Sequence, residues 1–290
     1  MRLERHSRTR KIGGNIHKYY IQCQEKSDWI QDPFAMDVNQ ERAIVQAILK
    51  DGLRRKNQKI VVKIGTNEML QKEYKIGEVI KNIPGFIRFI CTMKCKDNLG
   101  RYRGDKIATI CSKNPSDPEM NLLIMPYYEI GSVRKYPWER HPEQFRSALT
   151  QLFLSLYIAF IQEGFIHNDI HIDNILLSQT KKETIEYILP NGRHLNVPTH
   201  GIRIHIMDFE YAFLPVDRQE VHALLNDYRR IIYDIRFTTN LESPILYALE
   251  ERLFHTITLD KIEDIIEMIN SIDKIEKRQP PKLVYDAKLI

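Results

Sequence analysis

The 290-residue sequence has few of the features that mark membrane or secreted proteins. No stretch approaches the roughly 18 apolar residues that a transmembrane helix needs, and the basic N-terminal segment contains no apolar core typical of a signal peptide. Cysteine is scarce, with four in the chain, which suggests a reducing compartment. Cys91 and Cys95 are close in sequence, but no second ligand pair follows at zinc-site spacing. We therefore expect a cytoplasmic protein with no zinc site and no membrane contact.

The sequence also has no large excess of positive or negative charge, since its formal net charge is +5. The charge is scattered along the chain, and one short basic segment, 2–11, reads RLERHSRTRK. Such a segment could contact phosphate backbones, but a short charged run is more often a solvated tail. Nucleic acid is therefore not an expected partner.

The first part of the chain has the pattern of a β-rich unit. Short runs of β-branched residues bounded by polar residues predict strands at 58–65 and 121–128. A capping-box pattern that begins at Asp37 predicts an inserted helix over about 37–52. A second helix is expected to end before Pro84.

The second part of the chain has a helical pattern. Apolar residues recur at the spacing of one helical face from Phe145 onward, and Gly164 is a typical helix end. The change in pattern places a boundary near 128–132. We therefore predict an α+β fold in one bilobal domain that covers the whole chain, with a strand-rich N-terminal lobe at 1–128 and a helical C-terminal lobe at 129–290.

Polar residues interrupt an apolar run in the segment 164–177, which reads GFIHNDIHIDNILL. Asp169 and Asn174 would lie on this loop, and an alternating strand later in the chain ends at Asp208. Carboxylate and amide oxygens suit Mg²⁺ held against a polyphosphate better than they suit zinc. Lys63 is a lone cation in an apolar strand, where burial is costly unless the charge is paired. These groups are the parts that phosphoryl transfer requires.

Several motifs in this order resemble those of the protein-kinase-like superfamily, over about 58–235. HNDIHIDN resembles the catalytic loop H-R-D-L-x-x-x-x-N, and MDFE resembles D-F-G. The segment NDYRRIIYDI is similar to the helix whose acid, here Asp227, holds the catalytic loop. The resemblance implies that Asp169 is the catalytic base and that Asn174 and Asp208 bind Mg²⁺.

The same resemblance implies a set of residues that bind ATP. VVKI is similar to the strand whose lysine, here Lys63, places the α- and β-phosphates. Glu73 is the favoured partner of this lysine; Glu78, nearer the helix end, is the alternative, and either could be a surface acid. Gly13 and Gly14 are the candidate phosphate-covering loop, although a simple turn is equally open. The remaining positions implied to face the adenine are Val61, Met125 as gatekeeper, and Pro126, Tyr127 and Tyr128 in the hinge.

Within the loop the sequence also departs from the family pattern. Asn168 replaces the arginine that meets a phosphorylated activation loop, so such regulation is not expected. His171 replaces the usual lysine, as in haspin-like kinases and aminoglycoside-type small-molecule kinases. His167 is predicted to brace the loop from inside, and Asp173 to be a solvated acid. The segment 209–226 is short and has no A-P-E motif, so the usual platform for a peptide substrate is shortened or absent.

A further insertion, 178–201, is predicted to be a hairpin that turns at 190–192. In this combination of features the chain resembles serine/threonine kinases of large nucleocytoplasmic DNA viruses. The resemblance implies an ATP- and Mg²⁺-dependent kinase that acts on a protein Ser or Thr hydroxyl, in the host cytoplasm or the virion. Two alternatives stay open: a small-molecule kinase for an amino-alcohol or aminoglycoside, and a pseudokinase scaffold, which the missing glycine-rich motif favours.

Overall fold

In the computed structural model the chain divides into two compact units. Of the described residues, the first unit takes in those up to Tyr74 together with Arg88–Tyr127, and the second takes in Lys75–Ile87 and those from Tyr128 onward. The structure describes residues 30–38, 42–50, 57–66, 68–103, 110–214, 221–239, 244–255 and 264.

The first unit is built on an antiparallel sheet of five strands in the order β1-β2-β3-β5-β4. Its core includes alternate residues of β2 and the apolar residues Ile60, Val62 and Ile64 of β3. The strands are β1 (Ile30–Val38), β2 (Arg42–Lys50), β3 (Asn57–Gly65), β4 (Cys91–Lys96) and β5 (Glu119–Pro126).

The predicted helix over 37–52 is wrong, because this stretch holds the end of β1 and the whole of β2. In β2, Ala43, Val45 and Ala47 are buried while their neighbours are half-buried, which is the two-residue period of a strand. β2 also pairs with a strand on each side, so both edges of its backbone are satisfied. The tertiary pairing therefore overrides the local capping signal at Asp37.

The cysteines of this unit differ from what the expected reducing compartment favours. Cys95 and Cys111 form a disulfide with their Cα atoms 5.6 Å apart, and Cys91 is disulfide-bonded as well. The fully buried carboxylate of Asp97 holds the segment in place, because it accepts hydrogen bonds from the Cys111 N–H at 3.0 Å and the Tyr102 hydroxyl at 2.5 Å. A count of cysteines cannot reveal this proximity, which depends on the fold.

The second unit contains the longer helices. A three-stranded sheet has the order β10-β7-β6, and β8 and β9 form a separate hairpin, as predicted for the insertion. The strands are β6 (Gly131–Ser132), β7 (Ile175–Gln179), β8 (Thr184–Ile188), β9 (His194–Pro198) and β10 (Ile202–Ile206). The α-helices of the described residues are α1 (Met69–Ile80), whose first half belongs to the first unit, and α2 (Pro142–Glu163), α3 (Val221–Thr239) and α4 (Pro244–His255).

The long helix α2 is buried on all sides, as the apolar pattern predicts. Every residue from Phe145 to Phe160 is buried, and Gly164 ends the helix in the left-handed conformation, φ 71°. The Gly164 N–H donates to the Phe160 carbonyl, so the last turn is closed before the chain leaves the helix. One sheet-rich unit and one helical unit confirm the predicted α+β class and are compatible with a kinase-like fold. None of the helices in the described ranges is long and apolar enough to cross a membrane.

Gly85 allows the chain to pass very close to α2. Its φ is +89°, and a Cβ added there would lie 1.9 Å from the Ser155 Oγ. The Gly85 carbonyl also accepts the Ile206 N–H at 2.8 Å, so the backbone cannot easily move away. Gly85→Ala should therefore lower the free energy of unfolding by about 2–4 kcal/mol, from left-handed strain and from overpacking together. Chemical denaturation measures this loss.

Gly192→Ala is the matched control for backbone strain without overpacking. Gly192 has φ +81°, but no atom of the described residues lies within 4 Å of an added Cβ. This variant should lose only about 1–2 kcal/mol. Equal losses at the two glycines would show that the close approach at Ser155 does not limit residue 85.

Candidate active site

In the first unit, β3 holds a buried cation against a buried acid. Lys63 is 3% exposed and Glu73, in α1, is 1% exposed. The Lys63 Nζ lies 3.0 Å from both carboxylate oxygens of Glu73. Glu78, the alternative partner, instead accepts a hydrogen bond from the Lys81 Nζ at 2.7 Å, and both of these side chains are partly exposed. An uncompensated charge in the position of Lys63 or Glu73 would cost several kcal/mol, so each group needs the other as its partner.

Other residues predicted to face a nucleotide lie along the β3–β5 ladder. Val61 pairs with the buried Met125 across the two strands. Pro126 ends β5, and the Tyr127 N–H donates to the Lys59 carbonyl at 3.3 Å. The structure therefore places these four predicted positions next to one another at one end of the ladder.

The remaining predicted nucleotide positions are Tyr128, Gly13 and Gly14. Tyr128 belongs to the second unit, where its ring stacks on His205 with the ring centroids 3.8 Å apart. Gly13 and Gly14 lie outside the described residues.

In the second unit, His167 braces the loop that follows α2. Its imidazole is fully buried, with Nε2 2.9 Å from the Met207 carbonyl oxygen and Nδ1 3.4 Å from the Asp169 N–H. Since a carbonyl only accepts, Nε2 carries the proton and Nδ1 is the acceptor. Burial lowers the pKa of His167 to about 4, so the ring is neutral near pH 7. The neutral ring joins the loop to the residue that precedes Asp208.

Asp227 of α3 fixes the bend in this loop from the other side. Its buried carboxylate accepts the His167 N–H at 2.9 Å and the Asn168 N–H at 3.1 Å. Asn168 has φ 61°, a left-handed conformation that asparagine tolerates better than most residues. Burial raises the pKa of Asp227 to about 6, against the opposing effect of the two N–H donors. The bend is therefore shaped by a charge in α3 rather than by regular secondary structure.

The two predicted loop functional groups, Asp169 and Asn174, are held by contacts of different kinds. The Asp169 carboxylate is half-buried, with Oδ1 3.2 Å from Arg230 and Oδ2 3.9 Å from the His171 Nε2. The buried Asn174 donates from Nδ2 to the Asp169 carbonyl oxygen at 3.0 Å. That bond orients the amide and makes Oδ1 the atom that can bind a cation.

Asp208 follows β10 and is linked to Asn174 through one hydrogen bond of the backbone. The Met207 N–H donates to the Asn174 carbonyl at 2.9 Å, and Asp208 itself has φ 68°. The next residue, Phe209, is fully buried, with its ring centroid 5.8 Å from that of Phe165. This packing anchors the segment that carries the Asp208 carboxylate.

The oxygen atoms of Asn174 and Asp208 fit Mg²⁺ as it binds together with a nucleotide. Both are hard donors, which Mg²⁺ prefers, and the ion usually takes one or two carboxylates and completes its shell with phosphates and water. Among the described residues, no group of three or more His, Cys, Asp or Glu side chains could hold a metal ion without such help. The donor set therefore fits a metal that arrives with a polyphosphate.

Asp173 is a half-exposed acid, as the sequence predicts, but it has partners that the sequence does not show. Arg134 binds its carboxylate through Nε at 2.8 Å and Nη2 at 2.5 Å, and the Ser132 hydroxyl donates at 3.2 Å. The hydrogen bond from Arg134 lowers the pKa of Asp173 from its usual value. No sequence signal links these positions, because they are 39 residues apart.

Sequence reasoning also missed Arg230 and Asp234 of α3. Arg230 contacts Asp169, and the Asp234 carboxylate accepts the Ile172 N–H at 2.7 Å. Their spacing from Asp227 along the helix is the signal that could have identified them, since residues three and seven positions further on face the same side.

The α+β fold is compatible with the protein-kinase class, and comparison with known proteins agrees. Part of the chain is similar to haspin, a serine/threonine-protein kinase. The mouse (Mus musculus) protein is 36% identical over 105 residues, which is 34% of this chain and 13% of that protein. The cattle (Bos taurus) protein is 35% identical over 102 residues, again 34% of this chain and 13% of the relative.

A plant protein shows a similar level of identity over a segment of similar length. The haspin homolog of Arabidopsis thaliana is 37% identical over 98 residues, 33% of this chain and 16% of that protein. No family model matches the chain. The aligned segment thus spans 13% to 16% of these relatives and supports a relationship to serine/threonine kinases at the level of the family.

Proposed function

We propose that this protein is an ATP-dependent serine/threonine protein kinase. The observation that carries the proposal is the buried pair of Lys63 and Glu73, with Nζ 3.0 Å from both carboxylate oxygens. Buried ion pairs contribute little to stability compared with apolar packing, so this one has a functional explanation. Protein kinases use such a Lys–Glu pair to hold the lysine against the ATP phosphates.

The roles of the other residues follow from their chemistry. Asp169 would accept or orient the proton of the acceptor hydroxyl, because its carboxylate is half-buried on a braced loop. Asn174 and Asp208 would hold Mg²⁺, which when bound neutralises charge on the phosphates. The residues proposed to contact ATP besides Lys63 are Val61, Met125, Pro126, Tyr127 and Tyr128, with Gly13 and Gly14 as a prediction from the sequence.

A second candidate keeps the chemistry and changes the acceptor. The short segment 209–226 favours a small molecule such as an amino-alcohol, because it leaves little chain for a peptide platform. A nucleotide-binding scaffold without transfer is the third reading. The likeness to viral kinases stays a prediction from the sequence.

One assay separates these candidates. Purified protein is incubated with γ-labelled ATP and Mg²⁺ and offered basic protein, acidic protein and amino-alcohol acceptors in parallel. Label on a protein acceptor supports the proposal, and label on the amino-alcohol supports the second candidate. ATP binding without labelled product supports the scaffold.

Activity should not depend on phosphorylation of the segment after Asp208. Asn168 stands where the family has a phosphate-binding arginine, and its Nδ2 lies 3.5 Å from the Tyr211 carbonyl oxygen. An amide cannot form the charge-assisted pair that an arginine forms with phosphate. Phosphatase-treated protein should therefore keep its turnover within about twofold. A large loss that is restored by phosphorylating a residue between 211 and 226 would contradict this.

A further inference from the structure

Arg230 of α3 contacts the catalytic loop at two neighbouring points. Its Nη2 lies 3.2 Å from the Asp169 Oδ1, and its Nη1 donates to the Asn168 carbonyl at 3.2 Å. The rigid guanidinium plane therefore links the carboxylate of one residue to the backbone of the residue before it. A lysine, which presents a single nitrogen, could not hold both oxygens in the same way.

Two further residues of the same helix hold the loop on either side of this contact. Asp227, Arg230 and Asp234 stand at i, i+3 and i+7, which places them on one face of α3. Asp227 accepts N–H groups before Asp169, and Asp234 accepts the Ile172 N–H after it. The two acids bind only backbone N–H groups, whereas Arg230 binds the Asn168 carbonyl and also reaches the Asp169 carboxylate.

The Arg230–Asp169 pair has little value as a stabilising interaction. The side chains are 53% and 30% exposed, and exposed ion pairs contribute little to folding. Its consequence is geometric, because a held Oδ1 limits the rotation of the carboxylate. Oδ2 is then the carboxylate oxygen that would accept the hydroxyl proton of the proposed acceptor. The His171 Nε2 lies 3.9 Å from it. Such orientation matters in phosphoryl transfer, where positioning supplies most of the catalysis.

We infer that Arg230 is a positioning residue for Asp169 and completes the catalytic loop from α3. The inference rests on the proposed kinase activity. The opposite effect of the same contact would be to block the carboxylate, and the two effects predict changes of opposite sign when the guanidinium is removed.

The test compares Arg230→Gln and Arg230→Lys with Arg229→Gln. Arg229 is the matched control, since it lies on the same helix but its Nη2 donates to the Leu253 carbonyl at 2.9 Å. Steady-state kinetics with ATP and the accepted acceptor give kcat and KM, and amide hydrogen exchange of the folded protein reports on Asn168 and Asp169.

Arg230→Gln should lower kcat by about 10–100-fold and leave KM for ATP within about threefold, since only orientation is lost. The amides of Asn168 and Asp169 should exchange faster, on the order of tenfold. Arg230→Lys should recover part of kcat, because it keeps the charge without the fork. Arg229→Gln should leave kcat and the exchange of both amides unchanged.

An active wild type with an equally active or faster Arg230→Gln variant overturns the inference alone, and so does unchanged amide exchange. An equal loss of kcat in Arg229→Gln overturns it too, because the loss would then come from removing any positive charge from α3. A wild type that transfers no phosphate to any acceptor overturns the proposed function and the inference together. These results are therefore distinguishable.

Discussion

Asp169→Ala is expected to lower kcat by about 10²–10⁴-fold while leaving ATP affinity nearly unchanged. The carboxylate is the group proposed to orient the acceptor hydroxyl. The backbone of its loop is held separately by Asp227, through the N–H groups of His167 and Asn168. The loop should therefore keep its shape in the variant, so the loss reflects chemistry rather than folding. Turnover and equilibrium ATP binding, measured on the same preparation, separate the two.

Asp173→Ala is the matched control, since Asp173 is a half-exposed acid on the same loop and its partner is Arg134. It should keep most of the turnover. Asp169→Ala turnover within about tenfold of wild type would contradict the role of Asp169.

Lys63→Met should behave differently from Asp169→Ala. It leaves the carboxylate of Glu73 buried without its cation, so it should lower the free energy of unfolding by about 3–5 kcal/mol as well as activity.

Asp208→Asn is expected to remove the stabilisation that Mg²⁺ adds to ATP binding. A ligand at a hundredfold excess over Kd stabilises the folded state by about 2.7 kcal/mol. Wild type should therefore melt at a clearly higher temperature with ATP and Mg²⁺ than with ATP and EDTA. The substitution keeps the size of the side chain but removes the charge that the metal needs, so the Mg²⁺-dependent difference should disappear.

Comparing the Mg²⁺-dependent difference within each protein cancels any change in the melting of the unliganded variant. Asp173→Asn controls for the loss of one negative charge nearby and should keep the full difference. The metal assignment fails if Asp208→Asn and wild type respond equally to Mg²⁺. If ATP raises the melting temperature of wild type equally with and without Mg²⁺, the protein would instead be a scaffold.

The parts of the structure that could be predicted from the sequence are those whose signals are local. The helical stripe before Gly164 and the strand around Lys63 carry their own periodicity, and both form as predicted. The polar groups of the loop lie within a few residues of one another, so a single bend is enough to bring Asp169 and Asn174 together. Their number in a short apolar run is what indicates a site.

The parts that could not be predicted depend on contacts between distant residues. β2 has a helix-start signal at its N-terminal side, yet pairing with β1 and β3 decides its conformation. Asp173 has no local sign of its partner Arg134. In the sequence Arg230 cannot be told from an ordinary surface arginine, and only the folded structure shows its contact with Asp169. In each case a long-range geometric fit overrides or adds to the local preference.

Transfer of phosphate to a protein hydroxyl is tested most directly by identifying the labelled amino acid. Wild type and Asp169→Ala are incubated with γ-labelled ATP, Mg²⁺ and the accepted protein, and the acceptor is hydrolysed and analysed for phosphoamino acids. The predicted result is labelled phosphoserine or phosphothreonine with wild type and a loss of about 10²-fold or more with Asp169→Ala. Label confined to a small-molecule acceptor, or ATP bound without any labelled product, would contradict a serine/threonine protein kinase.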